Sequence, residues 1–118
     1  TRAIEIDSSN VEALHSRGLT YMEWRKFRPA IDDFTRTIEL DPQHPHAYYS
    51  RGAAHTQARQ YNEAIRDFTR AIEIDPLHAD SYRRRGEALE KLGLGDRAGQ
   101  DFRRWTNYLV TGSSSGCR

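Results

Sequence analysis

The feature that most constrains this chain is a phrase written three times at one spacing. Residues 33–42 read DFTRTIELDP, residues 67–76 read DFTRAIEIDP, and the chain opens with TRAIEID. Aligning the sequence on itself at a period of 34 brings Leu14, Tyr48 and Tyr82 into register, then Gly18, Gly52 and Gly86. Ala30, Ala64 and Ala98 follow, and after them Phe34, Phe68 and Phe102. A repeat of this length is one supersecondary unit that cannot bury its apolar face alone and does so by stacking on its neighbours. Only 36% of the chain is hydrophobic, which is polar for a single closed core but suits a stack of amphipathic helices.

Each unit reads as two helices. In the first half Leu14, Gly18 and Tyr21 stand at i, i+4 and i+7, as do Tyr48, Gly52 and His55, and Tyr82, Gly86 and Leu89. In the second half Phe27, Ala30, Ile31, Phe34 and Ile38 make one face, and Tyr61, Ala64, Ile65, Phe68 and Ile72 repeat it. Ser9 to Glu12 can form a capping box, Pro29 and Pro45 suit a first turn, and Asn62 and Asp96 are expected to cap the second helices. Asp41-Pro42 and Asp75-Pro76 end those helices, because a proline disfavours helical geometry in the residue before it. The three glycines lie inside helices, where each costs about 1 kcal/mol relative to alanine. A cost repeated in every unit implies close backbone approach between helices.

A helix-turn-helix unit of this length with a large residue, Gly, Ala, Phe and Pro in these slots resembles the tetratricopeptide repeat. The resemblance covers three units, 11–44, 45–78 and 79–112, and takes residues 1–10 as the end of an earlier unit's second helix. It departs from the family pattern where the usual unit-start tryptophan is Leu14, Tyr48 or Tyr82, and where a usual leucine before the Gly is arginine. It implies an all-α fold of tandem helix-turn-helix repeats stacked as a right-handed solenoid superhelix.

The arginines pair naturally with a second recurring charge. Arg17, Arg51 and Arg85 each precede the repeat Gly, and Asp33, Asp67 and Asp101 each precede the repeat Phe. Both slots adjoin the contact between the two helices, so an Arg–Asp ion pair is expected to clip each hairpin through two hydrogen bonds. The third unit departs from the others. Gly95 and Gly99 replace an aromatic residue and Ile, and Trp105 fills the slot of Thr37 and Ala71, where it would obstruct a further unit. Residues 113–118 are expected to form a disordered tail, and the start in mid-helix suggests a piece of a longer array.

Chemistry beyond binding finds little footing. There is no glycine-rich phosphate loop, no nucleophile elbow and no paired carboxylates that the repeat does not explain, so no enzyme and no cofactor are expected. His44 and His46 in PQHPHAYY, with His78 one unit later, lack acidic or cysteine partners at metal-ligand spacing in sequence, so no metal is expected. No run is long and apolar enough for a membrane span. With Cys117 as the single cysteine, the expectation is a reducing, intracellular and cytoplasmic setting. Net charge is +1, graded by unit from −2 through 0 to +3. The basic run Arg83-Arg84-Arg85 with Lys91, Arg97, Arg103 and Arg104 makes RNA a minority reading, since exposed aromatic platforms are not evident.

In proteins that this chain resembles, one stripe of the first helices lines a concave groove for an extended or helical peptide. Here the stripe is Glu12, His15, Leu19 and Met22, then His46, Tyr49, Ala53 and Thr56, then Asp80, Arg83, Glu87 and Glu90, with Arg84 alongside. Leu19, Met22 and Tyr49 offer apolar footing, and Arg83 and Arg84 would grip an acidic group. Family members that hold acidic chaperone tails use a two-carboxylate clamp of Lys and Asn on the first such helix, Asn on the second, and Lys and Arg on the third. The matching places here hold His15 and Leu19, then Ser50, then Asp80 and Arg84, of which only Arg84 fits. The resemblance therefore implies a non-catalytic scaffold for a protein or peptide partner, without the chaperone-tail clamp. Self-association through the array ends or the groove is the alternative, which light scattering against concentration separates.

Overall fold

The computed structural model describes residues 8–117. Among them the chain forms six helices and no strand: α1 (Ser8–Glu23), α2 (Phe27–Leu40), α3 (Pro45–Gln57), α4 (Tyr61–Ile74), α5 (Ala79–Lys91) and α6 (Gly95–Cys117). Each helix packs on its neighbours in sequence. In addition α1 touches α3 and α3 touches α5, whereas α2, α4 and α6 do not touch one another. An inner row in contact and an outer row splayed apart make the stack an α-helical solenoid with α1, α3 and α5 on its concave side.

The turns inside the hairpins share one construction. The amide of Arg25 donates to the carbonyl of Met22 and that of Lys26 to Tyr21; Arg59 and Gln60 do the same to Thr56 and His55, and Gly93 and Leu94 to Glu90 and Leu89. These paired 5→2 and 6→1 bonds define a Schellman ending, which needs a left-handed residue just past the helix. Arg25, Arg59 and Gly93 supply it with φ of 60°, 63° and 79°. Only Gly93 does so without steric cost. The second helix begins two residues later, so Lys26 and Gln60 stand in the capping position and make no side-chain cap. Asn62 lies inside α4 and Asp96 inside α6, two residues past the capping position that their residue types suggest. The Schellman turn accounts for this, because it leaves a single residue between its left-handed position and the next helix.

Between hairpins, Asp41 and Asp75 end α2 and α4 ahead of their prolines, and each amide still donates to a carbonyl four residues back, Thr37 and Ala71. His44 and His78 then open α3 and α5. The seam inside each hairpin is a glycine against a phenylalanine. A Cβ on Gly52 or Gly86 would stand 2.8 Å from the Cε1 of Phe68 or Phe102, and one on Gly18 would stand nearer still to Phe34. Phe34 and Phe68 are fully buried, as are Ala30, Ala54 and Ala64. Thr37 and Ala71 are buried where the following unit's α3 and α5 arrive.

Residues 1–7 and the side chain of Ser9, with its capping box, lie outside the described residues. Residues 113–117, read from composition as a disordered tail, continue α6 as far as Cys117. Once a helix is nucleated, each added residue gains a backbone hydrogen bond for the conformation it loses, so a weak Ser/Gly segment can follow the helix before it.

Candidate functional site

Recurrence of the unit puts the same helical positions on the concave side of α1, α3 and α5. On α1, Leu19 keeps 43% of its surface in water, while Met22 leans on the buried cluster of Ala30, Phe34 and Ala54. On α3, His46 is exposed, Tyr49 and Ala53 are half-buried, and Thr56 donates its hydroxyl back to the Gly52 carbonyl at 2.9 Å. Glu87 and Arg83 face each other on α5 at 3.0 Å. Leu19 is thus the exposed apolar side chain of the stripe, and Met22, Tyr49 and Ala53 each show part of their surface.

The two arginines expected to greet an acidic ligand are already engaged. Arg83 Nη2 lies 2.7 Å from Asp80 Oδ1, Arg83 Nε donates to the same oxygen, and the guanidinium stands 5.7 Å from the Trp105 ring centroid. Asp80 also accepts from the Tyr49 hydroxyl. Arg84 lies over the Tyr49 ring at 5.8 Å, and its buried Nε stops 3.6 Å from Asp80 Oδ2, too far for a hydrogen bond. Burial alone would raise the Asp80 pKa; the donors Tyr49 and Arg83, then the charges of Arg83 and Arg84, outweigh it and hold the carboxyl below its ordinary range. Burial and then the bond to Asp80 push the Tyr49 phenol up. The sequence placed Asp80 and the arginines on one face but gave no sign that the acid would bind both Tyr49 and Arg83.

At the other end of the row, side chains far apart in sequence converge. His15 Nε2 is 2.9 Å from Ser50 Oγ, and His44 Nε2 is 3.1 Å from Glu12 Oε2. The His15 ring stands 5.2 Å from that of His44 and 6.4 Å from that of His46. Of the positions matching the acidic-tail clamp, His15 and Ser50 thus bond each other, Leu19 is apolar, and Asp80 is tied to Tyr49 and Arg83.

The Arg–Asp slots meet in all three hairpins. Arg17, Arg51 and Arg85 each direct Nε and Nη2 to the two oxygens of Asp33, Asp67 and Asp101, every distance 2.8 Å. The aspartates are buried. Arg51 Nη1 also donates to Thr35 at 3.2 Å and Arg85 Nη1 to Thr69 at 3.1 Å, each in the preceding hairpin. One guanidinium thus clips its own hairpin and ties it to the one before, one contact among those that join successive units. The threonine role had a signal in the sequence, for Thr35 and Thr69 recur in the two DFTR phrases.

Among the described residues no group of three His, Cys, Asp or Glu side chains is placed to hold a metal ion. No described helix is long and apolar enough to cross a membrane.

Two family models described as tetratricopeptide repeat match residues 11–44 and 45–77. No curated protein matches the chain. Among solved structures, the second TPR of Spaghetti (RPAP3), bound to the HSP90 peptide SRMEEVD, is 30% identical with a TM-score of 0.81, covering 83% of this chain and 91% of that one. The first TPR of the same protein, bound to the same peptide, is 26% identical with a TM-score of 0.85, over 90% and 84%. The Arabidopsis OM64 TPR domain is 27% identical with a TM-score of 0.83, over 85% and 83%.

Proposed function

The chain belongs to the tetratricopeptide repeat family and is a protein-interaction scaffold, and from that premise we propose that it takes an extended segment of its partner along the concave row of α1, α3 and α5. The observation that carries this reading is the alignment of those three helices in a fold whose solved relatives, the two RPAP3 domains, hold a peptide. The segment lays apolar side chains on Leu19, Tyr49 and Ala53. Its polar end meets Arg83 and Arg84, where an acidic group competes with Asp80 and Glu87 for charges already paired. Binding is an equilibrium with no turnover.

The HSP90 peptide of the RPAP3 structures is a poor ligand on this reading. Its terminal carboxylate would meet Leu19 and a Ser50 already bonded to His15, and its acidic side chains would meet Asp80. Calorimetric titration with SRMEEVD should give no saturable heat, and a low-micromolar affinity lost on amidating the peptide's C-terminus would overturn that exclusion. For the groove itself, peptides selected from a random library on the chain should lose most of their affinity to Leu19→Ser and Tyr49→Ala. Peptides indifferent to both changes would place the binding surface elsewhere.

A further inference from the structure

We propose that His15 and His44, with His46 beside them, form an acid-sensitive latch between α1 and the start of α3: bonded as they stand, the His15 and His44 rings tie the first two inner helices together, and a proton added there releases them. This concerns the free chain and holds whatever the partner is.

His44 carries the geometry. It is 7% exposed and is the cap of α3, its Nδ1 accepting the Ala47 amide at 3.1 Å. A backbone N–H can only donate, so Nδ1 bears no proton and Nε2 is the nitrogen that donates to Glu12. This neutral tautomer bridges α1 and α3. A second proton on the ring would turn the cap acceptor into a donor facing a donor, and would set a positive charge at the positive end of the helix.

His15 makes the response collective. Its Nε2 is tied across to Ser50 on α3, and its ring packs 5.5 Å from Phe34 of α2. The titratable groups facing it are Glu12 from α1, His44 from the turn and His46 from α3; α2 presents the uncharged Phe34 ring. Among the described residues Glu12 is the one carboxylate facing His15, and one carboxylate balances one imidazolium, not two or three. Burial first, then the His44 charge, depress the His15 pKa below 6.5 against the opposing pull of Glu12. The sign follows: a folded-state pKa below the unfolded one gives stability fully present above about pH 6.5 and lost as pH falls through the folded value.

The repeat supplies internal controls. The same slot holds Asn10 one unit earlier and His78 one unit later. His78 faces the Ser81 hydroxyl at 2.7 Å and the Tyr49 ring at 5.1 Å.

Urea unfolding followed from about pH 7.5 to about pH 5.5 covers histidine titration and stays above that of ordinary carboxylates. The native midpoint should fall across this window. His44→Asn keeps a capping acceptor that takes no proton, and with His15→Gln it should abolish most of the fall, while His78→Asn should leave it in place. NMR titration of the unaltered chain gives a second readout that needs no variant: the His15 ring signal and the Ala47 amide should shift together. A native midpoint that stays flat, a double variant that falls as far as the native chain, or an Ala47 amide unmoved while His15 titrates would each overturn the latch.

Discussion

Replacing Arg51 by Leu removes one partner of an ion pair whose other member, Asp67, keeps only 6% of its side-chain surface in water. Removing one partner from a buried pair typically costs about 3–5 kcal/mol, because the remaining charge is stranded. Two features of the site lower that figure. The Arg51 side chain is itself 22% exposed, so water can follow the leucine in, and His55 Nε2 stands 3.7 Å from Asp67 as a replacement partner. The bond to Thr35 is lost as well, which adds a contribution near the lower end of the range for a hydrogen bond. The expected loss is about 2–3 kcal/mol. Asp67→Leu should cost less, since Arg51 keeps Thr35 and solvent, and the double change should cost clearly less than the two losses added together. Urea melts of the three variants at neutral pH provide the cycle. Additive losses would mean that the guanidinium and carboxylate contribute independently, and the clip would not exist as a unit. Arg17→Leu is the internal comparison: its bonds to Asp33 have the same length, but its side chain is 62% exposed, so its loss should be the smaller. Equal losses at Arg17 and Arg51 would refute the role given to burial.

Gly52→Ala should destabilise the fold by about 1–2 kcal/mol in the same melts, because crowding against Phe68 outweighs the roughly 1 kcal/mol gained in helix propensity; a stabilised variant would contradict the close approach. Arg59→Gly should raise stability by about 1 kcal/mol by relieving a left-handed backbone, whereas Gly93→Arg should lower it by a similar amount. Hydrogen exchange should open residues 97–108 of α6 before residues 63–74 of α4, since Phe102 is less buried than Phe68 and Gly95 and Gly99 pack little; equal protection would sink that ordering. Burial and then the bond to Asp80 raise the Tyr49 pKa, so the neutral phenol contributes stability that is present below about pH 10 and lost as pH rises through the folded value, and Tyr49→Phe should flatten that alkaline decline in urea melts.

The recurring letters carried the paired contacts that lie within one unit, though not its helix caps. Gly against Phe and Arg against Asp sit sixteen residues apart in every copy, and two helices joined by a short turn bring residues at that separation together almost regardless of what surrounds them. Asp-Pro likewise ends a helix by local sterics alone. The Schellman turn lay within reach too, because the slot of Arg25 and Arg59 is filled in the third copy by Gly93. What the sequence could not settle was the choice of partner between units. Asp80 could have faced solvent or an arginine; the angle between α3 and α5 brought it to Tyr49, thirty-one residues away, and closed Arg83 and Arg84 around it. His15, His44 and His46 are ordinary surface types in a turn and on a helix, and only the stacking of α1 on α3 made them a cluster. A repeat dictates its own internal contacts because the same short connection returns each time, whereas the stacking angle is the sum of many packing contacts, and it alone decides which of several polar side chains within reach will meet.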